Sequence, residues 1–101
     1  MAAKKLTVVA VIKAKEGTAE KTKQALEALV TPTRAEEGCI NFDFYQGTED
    51  KGLFMFFETW TTREALDKHM QAPHIKAFGG KAGDLLAEPI KASFWELIQT
   101  T

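Results

Sequence analysis

The sequence has little of the residue types that carry most site chemistry, with one cysteine, two histidines and one tyrosine among 101 residues. The single cysteine, Cys39, excludes an internal disulfide and is typical of a protein from a reducing compartment, although it could pair between chains. We therefore expect a cytoplasmic protein. Acid–base chemistry near neutral pH would have to rely on His69 and His74, the two histidines.

An excess of charge of one sign is also absent. Thirteen basic and fourteen acidic residues give a formal net charge of −1, and they are scattered along the chain. We therefore expect no nucleic acid and no membrane among the partners. The apolar run near the start is closed by Lys13 and Lys15 and has no small-residue cleavage site, so it predicts a strand, not a signal peptide.

Length and composition predict one folded domain over residues 1–101. The hydrophobic fraction is 45% and the charged fraction 27%, which is typical of globular domains and allows a single core. Apolar and β-branched residues predict strands at 6–14, 39–47, 53–60 and 90–98. In the second of these, Ile40, Phe42 and Phe44 should share one face.

Helical spacing predicts a first helix that begins after Thr18, ends near Gly38 and is interrupted at Pro32. A second helical region follows the third strand. Thr61 precedes Glu64 by three residues, which predicts a capping box at its start.

The next turns of this region predict an inward stripe of Ala65, Leu66, His69 and Met70. Pro73 should end this helix and open a second, short one. A glycine connection at 79–80 and a weak helical turn at 81–86 should then lead to Pro89 and the last strand.

The predicted order is βαββαβ, which indicates an α+β, ferredoxin-like fold with an antiparallel four-stranded sheet. Helices can cover only one face of such a sheet, yet the strands are apolar on both sides. A large exposed apolar face is rare in a monomer, so we expect a homodimer that packs through the open sheet face.

Four short motifs resemble the antibiotic biosynthesis monooxygenase family, and within it small bacterial proteins of the quinol monooxygenase type. They are EEGC at 36–39, E-x-W at Glu58 and Trp60, A-L-x-x-H ending at His69, and P-H-x-x-A-F from Pro73 to Phe78. The resemblance covers nearly the whole chain and implies a dimeric α+β barrel with a pocket in each protomer, between helices and sheet.

The resemblance also implies a function. Similar proteins oxidise quinols or polycyclic phenols with molecular oxygen and use no metal, flavin or haem, so we expect a small aromatic substrate, O2 and no cofactor. His69 or His74 would be the catalytic base. The residues expected to contact the substrate are Trp60, Phe78, Ala10, Asn41 and Trp95.

Other interpretations stay open at this point. In a second interpretation, His69 is a hydrogen-bonded core residue and the chain is a non-catalytic dimer that binds a hydrophobic small molecule. An isomerase of a small phosphorylated ketone is a further alternative, because relatives on this fold shift protons in such substrates. Lys68, Lys76 and Lys81 are the available cations.

Metal and haem chemistry are not expected. His69 and His74 are five residues apart with Pro73 between them, and the sequence indicates no third ligand. Haem-degrading relatives would have an iron-ligating histidine near Gly79, an asparagine near Ala10 and a tryptophan where His69 stands, and the chain departs from all three.

Overall fold

The computed structural model describes residues 5–99, which form one antiparallel sheet with helices on one face. The strands are β1 (Leu6–Lys13), β2 (Cys39–Gln46), β3 (Leu53–Trp60) and β4 (Lys91–Trp95). The helices are α1 (Ala19–Glu27), α2 (Val30–Arg34), α3 (Arg63–Met70) and α4 (Pro73–Leu85). The sheet order β2-β3-β1-β4 is that of the predicted ferredoxin-like α+β fold, which is thereby confirmed.

Strand register determines which side chains meet the helices. Val8, Ala10 and Ile12 of β1 are buried under them, and so are Phe54 and Phe56 of β3. Side chains alternate along each strand, so the intervening residues point to the opposite face. That second face carries the large apolar side chains of Val11, Tyr45, Phe57 and Trp95, each at least 37% exposed.

The first predicted helix is two helices. The break falls at Ala28 and Leu29, four and three residues before Pro32. A proline ring clashes with the carbonyl four residues earlier and has no N–H to donate, so an unbroken helix through this segment is excluded. Pro32 itself lies in the first turn of α2, where that N–H is not needed.

The start of α3 differs by one residue from the predicted capping box. Thr62 is the N-cap, and its hydroxyl accepts a hydrogen bond from Ala65 N at 3.1 Å. Thr61 N instead donates to Gly38 O at 2.8 Å, which ties the end of β3 to the segment before β2. Glu64 therefore does not reach the position that a capping box requires.

Two side chains face differently from the prediction. Ile40 is 46% exposed because a β-bulge between Cys39 and Asn41 shifts the register of β2 against β3, so Ile40 does not share the buried face of Phe42. Met70 is 54% exposed at the end of α3, whereas Leu66 and His69 of the predicted stripe are buried.

The C-terminal third also departs from expectation. Gly79 and Gly80 lie inside α4, where a Cβ at either position would meet nothing within 4 Å. Ile75, Phe78 and Ala82 on the other side of α4 pack against the core, and this packing overrides the low helix propensity of glycine. The last strand ends at Trp95, opposite Thr7, so Ile90, Leu97 and Ile98 lie outside it.

Candidate active site

An apolar cavity of about 330 Å³ lies between the helices and the sheet. Its walls come from β1, β2, β3, α1, α3 and α4, with β4 at one side. The polar side chains that line it are Glu58, Arg63, Asp67 and His69. A mostly apolar concave space with a few converging polar groups is typical of small-molecule sites.

His69 is held firmly at the wall of this cavity. The residue is 4% exposed, and its ring lies 4.7 Å from the Trp60 ring and 5.7 Å from the Phe42 ring, between centroids. Leu66, one turn earlier on α3, is buried on the same stripe. The imidazole therefore has little freedom to rotate.

The two ring nitrogens of His69 have different environments. Nδ1 lies 2.8 Å from Glu36 Oε2, and because a carboxylate only accepts hydrogen bonds, Nδ1–H is the donor. Nε2 has no hydrogen-bond partner among residues 5–99. In that range every buried side-chain nitrogen or oxygen has a partner, so Nε2 is not a buried atom. Nε2 must therefore open onto accessible space, and the space that His69 lines is the cavity.

Glu36 also binds the second histidine. Its Oε2 lies 2.9 Å from His74 Nε2, and Thr33 Oγ1 lies 3.1 Å from the same nitrogen. Glu36 belongs to the turn between α2 and β2, where its carbonyl accepts from Cys39 N and Gly38 adopts a φ of +88°. The turn thus presents one carboxylate oxygen to residues of both α3 and α4.

The sequence indicates no third group beside the two histidines, and the structure supplies one. Oε2 of Glu36, one nitrogen of His69 and one nitrogen of His74 all lie within 4.8 Å of one another. Glu36 is 33 residues before His69, so nothing in the local spacing reveals the contact.

Glu58 is a second polar group in the cavity wall, and it is not among the site residues predicted from the sequence. It is 5% exposed, and its Oε1 accepts a hydrogen bond from Trp60 Nε1 at 2.9 Å. Burial raises the pKa of Glu58 to about 7; the Trp60 hydrogen bond opposes this rise and the charge of Glu36 adds to it. Glu58 lies between Phe56 and Trp60 in the alternating buried positions of β3, and this pattern could have identified it as a cavity residue from the sequence.

Exposed residues surround the mouth of the cavity. The Arg63 guanidinium lies 5.0 Å from the centre of the Phe94 ring, and its Nε lies 3.3 Å from Asp67 Oδ1. Met70 and Ile90 are also partly exposed there. The mouth is therefore apolar with one ion pair.

The structure brings only part of the predicted site together. His69, Ala10 and Phe78 line the cavity. Trp60 lies behind the His69 ring and is fully buried. His74 is not among the lining residues and is linked to His69 through Glu36, whose Oε2 bonds both histidines. Asn41 and Trp95 point to the open face of the sheet. Asn41 is opposite Thr59 and bonds Asp43, and Trp95 is opposite Thr7 and bonds Ser93. Strand alternation keeps both away from the cavity.

The model of the family described as "Antibiotic biosynthesis monooxygenase" matches residues 5–81. The chain belongs to this family. An uncharacterised protein of Synechocystis sp. is 35% identical over 94% of this chain and 65% of its own length. A Mycobacterium tuberculosis protein with a provisional monooxygenase name is 42% identical over 64% of this chain and 63% of its own length. The chain thus spans slightly less than two thirds of these two relatives.

Solved structures of other proteins have the same fold as this chain. The protein PA3566 of Pseudomonas aeruginosa matches with a TM-score of 0.93 and 33% identity, over 98% of this chain and 99% of the other. Rv0793 of Mycobacterium tuberculosis matches with a TM-score of 0.88 and 29% identity, over 95% and 97%. The family resemblance seen in the sequence is confirmed. Within residues 5–99, no helix has the length and apolar character needed to cross a bilayer.

Proposed function

We propose that this protein is a monooxygenase that oxidises a quinol or a related phenol with O2 inside the cavity, without metal, flavin or haem. One observation carries the proposal. His69 has Nδ1 bonded to Glu36 and Nε2 open to an apolar cavity of about 330 Å³. An imidazole held in this tautomer has its lone pair directed toward whatever the cavity holds.

The cavity suits a flat aromatic molecule. Its volume is at the lower end of the range of about 300–1,000 Å³ seen for small-molecule sites. Phe42, Phe56 and Phe78 contribute aromatic wall, and Ala10 leaves room beside them. Apolar walls strengthen the electrostatic interactions of a bound phenolate with the few polar groups nearby.

The chemistry requires a base and a second proton carrier. His69 Nε2 would accept the proton of a quinol hydroxyl, and the quinolate would reduce O2 and form a bond from a ring carbon to oxygen. The O–O bond then breaks, the ring carbon loses its hydrogen as a proton, and the departing oxygen leaves as water. Overall, quinol and O2 give hydroxyquinone and water, and all four electrons come from the quinol.

Glu58 is placed to be the second proton carrier. Its carboxyl also lines the cavity and accepts a hydrogen bond from Trp60, and the Trp60 ring in turn lies beside the His69 ring. With a pKa of about 7, this carboxyl can donate a proton to the departing oxygen and recover it afterwards.

Similarity to other proteins supports the proposal at the level of reaction class. The family description contains the word monooxygenase, and so does the name of the relative in Mycobacterium tuberculosis. The choice of a quinol comes from the cavity and from the resemblance seen in the sequence.

The proposal includes a homodimer through the open face of the sheet. Val11, Phe57, Tyr45 and Trp95 form an apolar surface there, larger than scattered single side chains. A two-fold partner that packs the same face would cover both surfaces at once. It would also place Asn41 in the interface.

The test is oxygen uptake with menadiol, compared between the wild type and His69→Gln. We expect the variant to lose at least 99% of the enzymatic rate. Lys68→Gln, an exposed neighbour on α3, is the matched control and should keep it. Catalase separates the reaction from autoxidation, because autoxidation releases hydrogen peroxide and the proposed reaction does not. Normal turnover by folded His69→Gln would contradict the proposal.

The assay and the cavity lining separate the alternatives. A non-catalytic binder would bind menadione in the cavity and show no uptake with any quinol. A phosphoketone isomerase needs a free cation beside the substrate, whereas the cation lining the cavity within residues 5–99 is Arg63, already paired with Asp67. The cavity therefore favours an uncharged aromatic substrate.

A further inference from the structure

The cluster of Glu36, His69 and His74 has a chemistry that the proposed reaction does not use. Two imidazole nitrogens and one carboxylate oxygen lie within 4.8 Å of one another, on three separate parts of the fold. We propose that this cluster binds one divalent transition-metal ion of the Zn²⁺ type, and that the bound ion switches off His69 as a base.

The donor set selects the kind of ion. Two imidazoles with one carboxylate suit Zn²⁺, Co²⁺ or Ni²⁺, whereas Mg²⁺ and Ca²⁺ prefer sites made of oxygen alone. One negative charge from the carboxylate also favours a cation over a neutral ligand. A water molecule would complete four ligands, and Thr33 Oγ1, next to His74 Nε2, is placed to accept a hydrogen bond from it.

The distances between the three ligand groups would need only small movements to accommodate an ion. Glu36 Oε2 is 2.8 Å from His69 Nδ1 and 2.9 Å from His74 Nε2. Metal–ligand bonds of about 2.0–2.1 Å in a tetrahedral site place neighbouring ligands roughly 3.3 Å apart. Glu36 and His74, the two partly exposed members, can rotate to widen these contacts, while buried His69 stays in place.

The surroundings favour a pre-formed site with access from solvent. The turn of Glu36 is fixed on both sides, by Cys39 N donating to Glu36 O at 3.2 Å and by Thr61 N donating to Gly38 O at 2.8 Å. The side chains of Glu36 and His74 are 17% and 21% exposed, and that of His69 is 5% exposed. An ion can therefore enter from the side of His74.

The consequence for His69 follows from its tautomers and rests on the proposed function. Without the ion, Nδ1–H donates to Glu36 and the lone pair of Nε2 faces the cavity. An ion bonded to Nδ1 takes the place of that proton, so a neutral ring must carry its proton on Nε2. Nε2 is then a donor and cannot accept a proton from a quinol. Metal binding and base catalysis exclude each other.

Binding is tested first, without reference to activity. Untagged protein is treated with EDTA, dialysed and titrated with Zn²⁺ by calorimetry and with Co²⁺ by its visible absorption. We expect one ion per chain and at least tenfold weaker binding in Glu36→Gln and in His74→Gln. Glu37→Gln is the matched control, because it alters the neighbouring carboxylate outside the cluster, and it should bind as the wild type does.

Cys39, whose N donates to Glu36 O at 3.2 Å, carries a free thiol close to the cluster, so Cys39→Ser must also bind as the wild type does. Absence of saturable binding at one ion per chain would overturn the inference. Equal affinity of Glu36→Gln and Glu37→Gln would do the same.

The switch is tested by oxygen uptake with menadiol during a Zn²⁺ titration of EDTA-treated protein. The rate should fall in proportion to the occupied fraction and return after EDTA is added. A rate that rises or stays constant as the site fills would refute the switch. Inactivity of metal-free protein toward every quinol would remove the proposed function but leave the metal site, so the two failures are distinguishable.

Discussion

The indole N–H of Trp60 donates to a carboxylate oxygen of Glu58 at 2.9 Å, and both residues are almost completely buried. The hydrogen bond satisfies the indole but compensates only part of the cost of a buried negative charge. The free energy of unfolding should therefore depend on the ionisation of this one carboxyl.

Glu58→Gln should stabilise the protein at alkaline pH. The pKa of Glu58 is about 7 in the folded state and near 4.5 when unfolded, so between these values the folded state binds more protons. The contribution of this pKa difference to the free energy of unfolding is full below pH 4.5 and is lost as the pH rises through 7. The change amounts to about 3 kcal/mol. Glutamine still accepts from Trp60 and removes the charge.

Urea unfolding of both proteins from pH 5 to pH 8.5 measures this difference. Glu58→Gln should gain stability relative to the wild type as the pH rises, whereas Glu64→Gln, an exposed position on α3, should not. Parallel curves for the wild type and Glu58→Gln would show that this carboxyl ionises normally.

Ala92→Phe should block the cavity at little cost to folding. Ala92 is exposed on edge strand β4 and lines the cavity opposite Ala10, so a larger side chain there extends into the substrate space. We expect kcat/KM for menadiol to fall at least tenfold, with an unfolding free energy changed by less than about 1 kcal/mol. Ala92→Ser is the control of similar size. Unchanged kcat/KM in Ala92→Phe would place the substrate elsewhere.

Phe57→Lys should convert a dimer into single chains. Phe57 lies in the middle of the open sheet face, beside Val9 of β1, and is 38% exposed in one chain. A buried lysine facing its own symmetry copy costs desolvation and like-charge repulsion. Sedimentation velocity at micromolar concentration should show a dimer for the wild type and for Gln24→Lys on the exposed side of α1. A wild type that sediments as one chain would exclude the interface.

Gly38→Ala should destabilise the protein more than Gly17→Ala. Both glycines have a positive φ, +88° and +83°, which costs any residue with a Cβ about 1 kcal/mol. A Cβ at Gly38 would also lie 2.5 Å from Ala65 Cβ and 2.9 Å from Thr61 Oγ1, whereas at Gly17 it would meet nothing within 4 Å. We expect about 1 kcal/mol for Gly17→Ala and more than 2 kcal/mol for Gly38→Ala, measured by urea unfolding. Equal costs would mean that the contact with α3 relaxes freely.

Local patterns were sufficient to predict the fold. Strand alternation, the Pro32 interruption and the spacing of Leu66 and His69 are properties of neighbouring residues, and the structure bears out the architecture that they indicate. The predicted element boundaries were wrong where distant contacts decide them. The Thr61 N–H donates to Gly38 O, and packing of α4 against the core keeps the segment around Gly79 helical.

The site was predictable only in part, for the same reason. The position of His69 follows from helix periodicity, but its partner Glu36 lies 33 residues away and is brought there by a turn. Strand alternation alone could have excluded Asn41 and Trp95 from the predicted site. Asn41 is next to Phe42 and Trp95 is next to Phe94, and both phenylalanines line the cavity.

The two tryptophans give the protein two separate fluorescent reporters. Trp60 is fully buried beside the His69 ring, whereas Trp95 is 57% exposed on the open face of the sheet. Indole emission shifts to the blue in apolar surroundings, and a nearby protonated imidazole quenches it. The proposed proton transfer at His69 should therefore change the fluorescence of Trp60, and the proposed dimer contact should change that of Trp95, so single-tryptophan variants report on the two proposals separately.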